Sequence, residues 1–164
     1  MTGHTPGTAI TRQGEGHLDL SGREHQVLWF ALARLPWNSV VLVPADQGGS
    51  TAHLALALAD IGAQLSIAPV SSIVAQPRDY RTAVQMAAGV SPAGWEGEQV
   101  PFPRAGRVII SIEPIVVEPL GVAVVQAADT AVVCVELGRT GLAAARRTVE
   151  LIGRERVAGC FLVG

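Results

Sequence analysis

Aromatic side chains make up only 4% of this 164-residue chain, charged side chains 16%, and there are two cysteines. Each scarcity excludes something. With so few aromatics, the core must come from Val, Leu, Ile and Ala, which 49% hydrophobic content supplies in the amount one domain needs. A net charge of -2 with no sizeable basic cluster argues against a nucleic-acid surface. Cys134 and Cys160 lie in the apolar runs VVCVE and AGCFLV, and are expected as reduced core residues rather than a disulfide or catalytic pair. No spacing of Cys, His, Asp and Glu has the form of a metal site. No apolar run reaches membrane-spanning length, and the first residues lack the apolar core of a signal peptide. The expected location is the cytoplasm, peripheral to the inner membrane only through a partner.

What is present is alternation. Residues 1–20, rich in Gly, Thr and charge, are expected as a flexible lead-in, and 21–164 as one domain. Ser21 is placed to cap a helix over 23–35, with Val27, Leu28, Phe30, Ala31 and Leu35 as its apolar side. Val40–Val43 has the continuous apolarity of a strand covered on both faces. A helix opened by Ser50 or Thr51 is expected to reach Ile61 and end at Gly62, followed by a weak strand over 65–68.

Residues 77–89 read as a helix, 90–106 as a long loop, and 107–112 as a core strand. A short helix over 120–127 and a strand over 131–135 follow. Next come a helix over 142–153, with Leu142, Ala145, Val149 and Ile152 on one side, and a strand over 157–163. Such alternation predicts an α/β fold: three layers, α/β/α, around a mostly parallel sheet, Rossmann-like in the manner of P-loop NTPases.

The chemistry should lie at residues 44–51, PADQGGST. A strand, a glycine turn, a Ser-Thr pair and a helix form a phosphate-binding loop, in which backbone N–H groups and the helix N-terminus meet the anion. Gly48, Gly49, Ser50 and Thr51 are therefore the candidate cofactor-binding residues. The lysine that normally reaches the outer phosphates is missing, and Asp46 adds charge of the wrong sign. His53 is expected partly exposed rather than catalytic, and Arg139, in LGRTG, as a turn arginine or an anion contact.

Residues 40–62 and 107–164 together resemble the P-loop ATPase domain of bacterial tyrosine autokinases of capsule and exopolysaccharide synthesis. That family is similar in turn to the ParA/MinD ATPases. The likeness lies in strand, GGST loop and helix, in VIISIEP, and in the ADT turn leading to a hydrophobic strand, an amphipathic helix and a last strand. The resemblance puts the family's lysine at Gly49, the acid that ends the second strand near Ala68, and the Walker B aspartate at Ser111. Glu113 lies two residues beyond Ser111, and Tyr80 is the only tyrosine.

Phosphoryl transfer depends on positioned cations, so these losses imply a pseudo-ATPase with no catalytic residues, no cofactor and no metal. The function the resemblance implies is a non-catalytic accessory or regulatory protein of exopolysaccharide or capsule biosynthesis or export. It would act through protein contacts: a homo-oligomer such as a dimer, or a complex with a membrane-bound copolymerase or ATPase. A nucleotide or anion sensor, and a residual ATPase or tyrosine kinase, are the alternatives. Trp29 and Phe30 cannot share one helix face, so one of them, or Trp95, is expected to anchor a contact.

Overall fold

The computed structural model describes residues 22–90 and 106–163. Residues 1–20, Ser21 and 91–105 lie outside them, so the lead-in, the helix cap, the interior of the loop expected over 90–106 and the Trp95 contact do too. The elements are α1 (Arg23–Ala33), β1 (Ser39–Pro44), α2 (Ala52–Leu65), β2 (Val70–Val74), α3 (Tyr80–Ala87, after a 3-10 turn at Pro77–Asp79), β3 (Arg107–Ser111), α4 (Gly121–Ala127), β4 (Thr130–Glu136), α5 (Leu142–Ile152) and β5 (Val157–Val163). The strands form one sheet in the order β2-β3-β1-β4-β5, with every neighbouring pair parallel. The three-layer α/β/α fold expected from the sequence is the fold observed, with a generic Rossmann or P-loop-NTPase-like topology.

β1 is central and all six of its residues are buried, because helices cover both faces of the sheet. Val41 and Val43 join Ile110, Ala131 and Val133 under α3, α4 and α5. Val40 and Leu42 join Ile109 and Val132 under α1 and α2. The strand's period of two thus splits one apolar run between two cores.

The departures from the sequence reading have local causes. The strand expected at 65–68 lies instead at Val70–Val74, after Pro69, because α2 continues to Leu65. Gly62 does not end that helix but sits inside it. A Cβ there would lie 2.6 Å from Trp29 Cη2 and 2.9 Å from Val70 Cγ2, so only glycine lets α1 approach α2 this closely. α1 is rotated from the expected face: Leu28, Trp29 and Leu32 are buried, whereas Val27, Phe30 and Leu35 are exposed. In α5, Leu142 is exposed, and Thr148 takes the buried position beside Ala145, Val149 and Ile152. Cys134 is buried as expected; Cys160 is exposed, because β5 is the edge strand.

Polar groups tie the strand ends. Ser39 Oγ donates to Ala87 O (2.7 Å) and accepts from Asp129 N (3.0 Å), while Asp129 Oδ2 accepts from Asn38 N and Ser39 N. Among the described residues no buried side-chain polar atom lacks a partner, and no helix is long and apolar enough to cross a membrane.

Candidate functional site

From the adjacent strands β1 and β4 the chain leaves to opposite faces, into α2 on one side and α5 on the other. Such a switch point opens a crevice at the carboxyl ends of the strands, where α/β proteins place their ligands. A small cleft lies there, lined by Pro44, Asp46, Gly49, Ser50 and Thr51 from the β1–α2 segment. Cys134, Glu136 and Thr140 at the end of β4, with Val163 of β5, form the other wall. Its cavity volume is about 40 Å³. The structure therefore brings Gly49, Ser50 and Thr51 to the cleft, with Gly48 beside them under Arg139.

The loop is closed on itself. Gly48 N donates to Asp46 Oδ1 (3.1 Å) and Gly49 N donates to Asp46 O (3.3 Å). Asp46 forms an Asx turn and engages the two glycine amides that a phosphate would otherwise meet. Neither Gly48 nor Gly49 has positive φ, so the loop lacks the left-handed residue of an αR-αL anion nest. A Cβ on Gly49 would stand 2.9 Å from Pro44 Cβ. A lysine at this position therefore requires the loop to move.

Behind the loop, Thr51 turns inward. Its Oγ1 donates to Leu42 O (3.1 Å) and lies 2.8 Å from Ser111 Oγ. A carbonyl only accepts, so the threonine proton goes to Leu42 and the serine proton to Thr51 Oγ1. Both residues are buried. This neutral pair pins the start of α2 to the ends of β1 and β3, at the position the resemblance gives to a magnesium-linked aspartate. Ser50 is exposed and accepts a long bond from Ala52 N (3.4 Å).

Glu113 faces elsewhere. Its Oε1 accepts from Gln76 Nε2 (3.4 Å) and its backbone N–H donates to the Tyr80 hydroxyl (3.1 Å). Ala68 precedes β2 rather than ending it; Val74 and Ala75 stand at the strand's end, so no acid is there either. His53 is exposed, with its ring 6.2 Å from that of His25 on α1 and away from the cleft.

The other wall adds charge of both signs. Arg139 Nη1 pairs with Glu136 Oε1 at 3.0 Å, and its Nη2 lies 3.1 Å from where a Gly48 Cβ would stand. The guanidinium thus lies over the loop, its charge matched by Glu136 and outnumbered once Asp46 is counted. All twelve basic side chains of the protein are arginine, so no lysine reaches the loop from elsewhere in the sequence. Burial, and secondarily the nearby Cys160, push the Cys134 thiol up to about 12. It stays protonated near neutral pH and is no nucleophile.

Magnesium and a nucleoside triphosphate do not fit these residues. The loop amides are occupied, the hydroxyl pair is mutually satisfied, and the local charge is negative on balance. Among the described residues no three His, Cys, Asp or Glu side chains gather as a metal site.

Sequence reasoning flagged Asp46 only as a charge mismatch and overlooked Glu136, Thr140 and Thr148. Glu136 carried a usable signal, as an acid at the carboxyl end of an apolar strand. Thr148 carried none: its Oγ1 donates to Ala45 O (3.0 Å), a contact between residues 103 positions apart. No protein-family model matches the chain, and no curated protein matches it.

Proposed function

We propose that this protein is a non-catalytic, P-loop-ATPase-like accessory or regulatory domain that acts through protein contacts. The resemblance of its sequence to capsule and exopolysaccharide autokinases makes polymer biosynthesis or export the setting. The observation that carries the reading is the loop filled by its own Asp46. A nucleotide would have to displace that carboxylate and then meet two acids with one arginine. These groups are at least partly solvent-exposed, so the imbalance is screened by salt but still opposes a polyanion.

The test is direct. Purified protein titrated calorimetrically with ATP or ADP and magnesium is expected to give no binding heat. Labelled ATP is expected to show no phosphate release above background and no autophosphorylation. Phosphate release that Ser50→Ala abolishes would overturn the reading.

Arg139 over the loop supports a second reading, anion sensing without hydrolysis. The two are separated by Asp46→Ala, which frees the Gly48 amide and removes one negative charge, while the Gly49 amide stays on the carbonyl of residue 46. If Asp46 is what fills the cradle, this variant gains at least about tenfold in tripolyphosphate affinity, equivalent to about 1.4 kcal/mol. The gain should weaken with salt and vanish when Arg139→Ala is added. Tight binding by the unaltered protein would favour the sensor.

A further inference from the structure

β5 forms one edge of the sheet, and among the described residues no segment hydrogen-bonds its outer side. Edge strands are normally shielded by charge, proline, brevity, a bulge or a covering element. β5 is VAGCFLV: seven residues with neither charge nor proline. Its one irregularity of register skips Ala158, since Ala131 faces Val157 and Val132 faces Gly159, and leaves Gly159–Val163 regular. Ala158, Gly159 and Cys160 are exposed, and Leu162 is 55% exposed. The other edge, β2, is shorter, carries two serines and is better covered.

We propose that β5 pairs antiparallel with β5 of a second copy of this chain, giving one continuous sheet across a twofold axis at Cys160. The strand's own order specifies this partner. Between a valine at each end, its first half is small (Ala158, Gly159) and its second half large (Phe161, Leu162). Antiparallel overlap about Cys160 sets Gly159 against Phe161 within the regular stretch, with Cys160 facing its counterpart, and brings the skipped Ala158 opposite Leu162 and Val157 opposite Val163. Every pair flanking the cysteine but the outermost joins a small residue to a large one, and glycine opposite an aromatic is a favoured cross-strand device. A twofold axis requires this kind of self-complementarity. With no charge on the strand, no like charges meet in the self-paired register. The inference goes beyond the loss of catalysis: nucleotide hydrolysis would overturn that reading and leave this one standing.

Sedimentation velocity over a concentration series should show a dimer. Diamide, which takes up the two thiol hydrogens as the disulfide forms, should link the two Cys160 side chains. The link should disappear in Cys160→Ser while the dimer persists; buried Cys134 does not compete. Leu162→Lys should raise the dimer dissociation constant by about tenfold or more, because it sets a charge in the new pairing. Ala158→Lys at an exposed position serves as the second variant if Leu162→Lys perturbs folding by circular dichroism. Phe30→Ser, at an exposed position of α1, should leave association unchanged. A protein monomeric at the highest concentration would overturn the proposal. So would a dimer that diamide does not link, that survives both lysine variants, or that Phe30→Ser disrupts.

Discussion

A Trp29→Ala protein is expected to lose about 3–5 kcal/mol of unfolding free energy, with no change in association. Trp29 is 3% exposed and meets Trp37 edge-on, with centroids 6.3 Å apart and planes at 85°. Trp37 is itself fixed by its Nε1 donating to Leu32 O (2.7 Å) and by Arg107 stacked 4.7 Å above its ring. Below, Gly62 leaves the slot that the Trp29 ring fills. Removing the indole leaves a hole that α1 can close only by shifting on α2, and a packed partner such as Trp37 resists that shift. Urea unfolding followed by circular dichroism gives the magnitude. A loss below about 1 kcal/mol would mean that the two helices collapse onto each other without cost. Small-to-large change at the other side of the contact, Gly62→Leu, should also destabilise, by overpacking rather than by a void.

The same residues show how far the sequence could be read. Four of the five strands were legible within a residue or so at each end, because β-branched runs bounded by turns leave little else for the chain to do. The fifth was displaced. Leu65–Ala68 has strand-like composition, but α2 takes Leu65 and residues 66–69 carry the chain out of the helix, so the strand forms after Pro69. On α1, adjacent aromatics made it certain that they diverge, and nothing local said which turns inward. That was decided by Gly62, in another helix, and by Trp37 beyond a turn. At the site, the missing lysine and aspartate were plain from the letters. That Asp46 folds onto the glycine amides, and that Thr51 and Ser111 satisfy each other across 60 positions, are facts of tertiary geometry.

Ser111→Asp, which restores the acid that the resemblance puts at this position, is expected to destabilise the protein at pH 7 by about 3–5 kcal/mol, the cost of an unmatched buried charge. Ser111 is 3% exposed between Ile110 and Ile112, beside Leu42 and Val74 in the neighbouring strands, and its hydroxyl is committed to Thr51. Among the described residues no cation is shown against Ser111: Arg139 is paired with Glu136 and lies over Gly48. Burial disfavours the charged form, so the folded-state pKa of this group is raised above its unfolded value. The native state then holds a proton that the unfolded state has released, and stability falls as pH rises between the two pKa values. The deficit relative to the wild type should be small near pH 4 and full at neutral pH. Ser111→Asn, similar in size and uncharged, should show a smaller deficit without that slope. Urea titrations of the three proteins across this range, with and without magnesium, make the comparison. If the aspartate variant matches the wild type at pH 7, or magnesium stabilises it, then the space behind the loop still admits a cation and the hydroxyl pair is not the closed element described here.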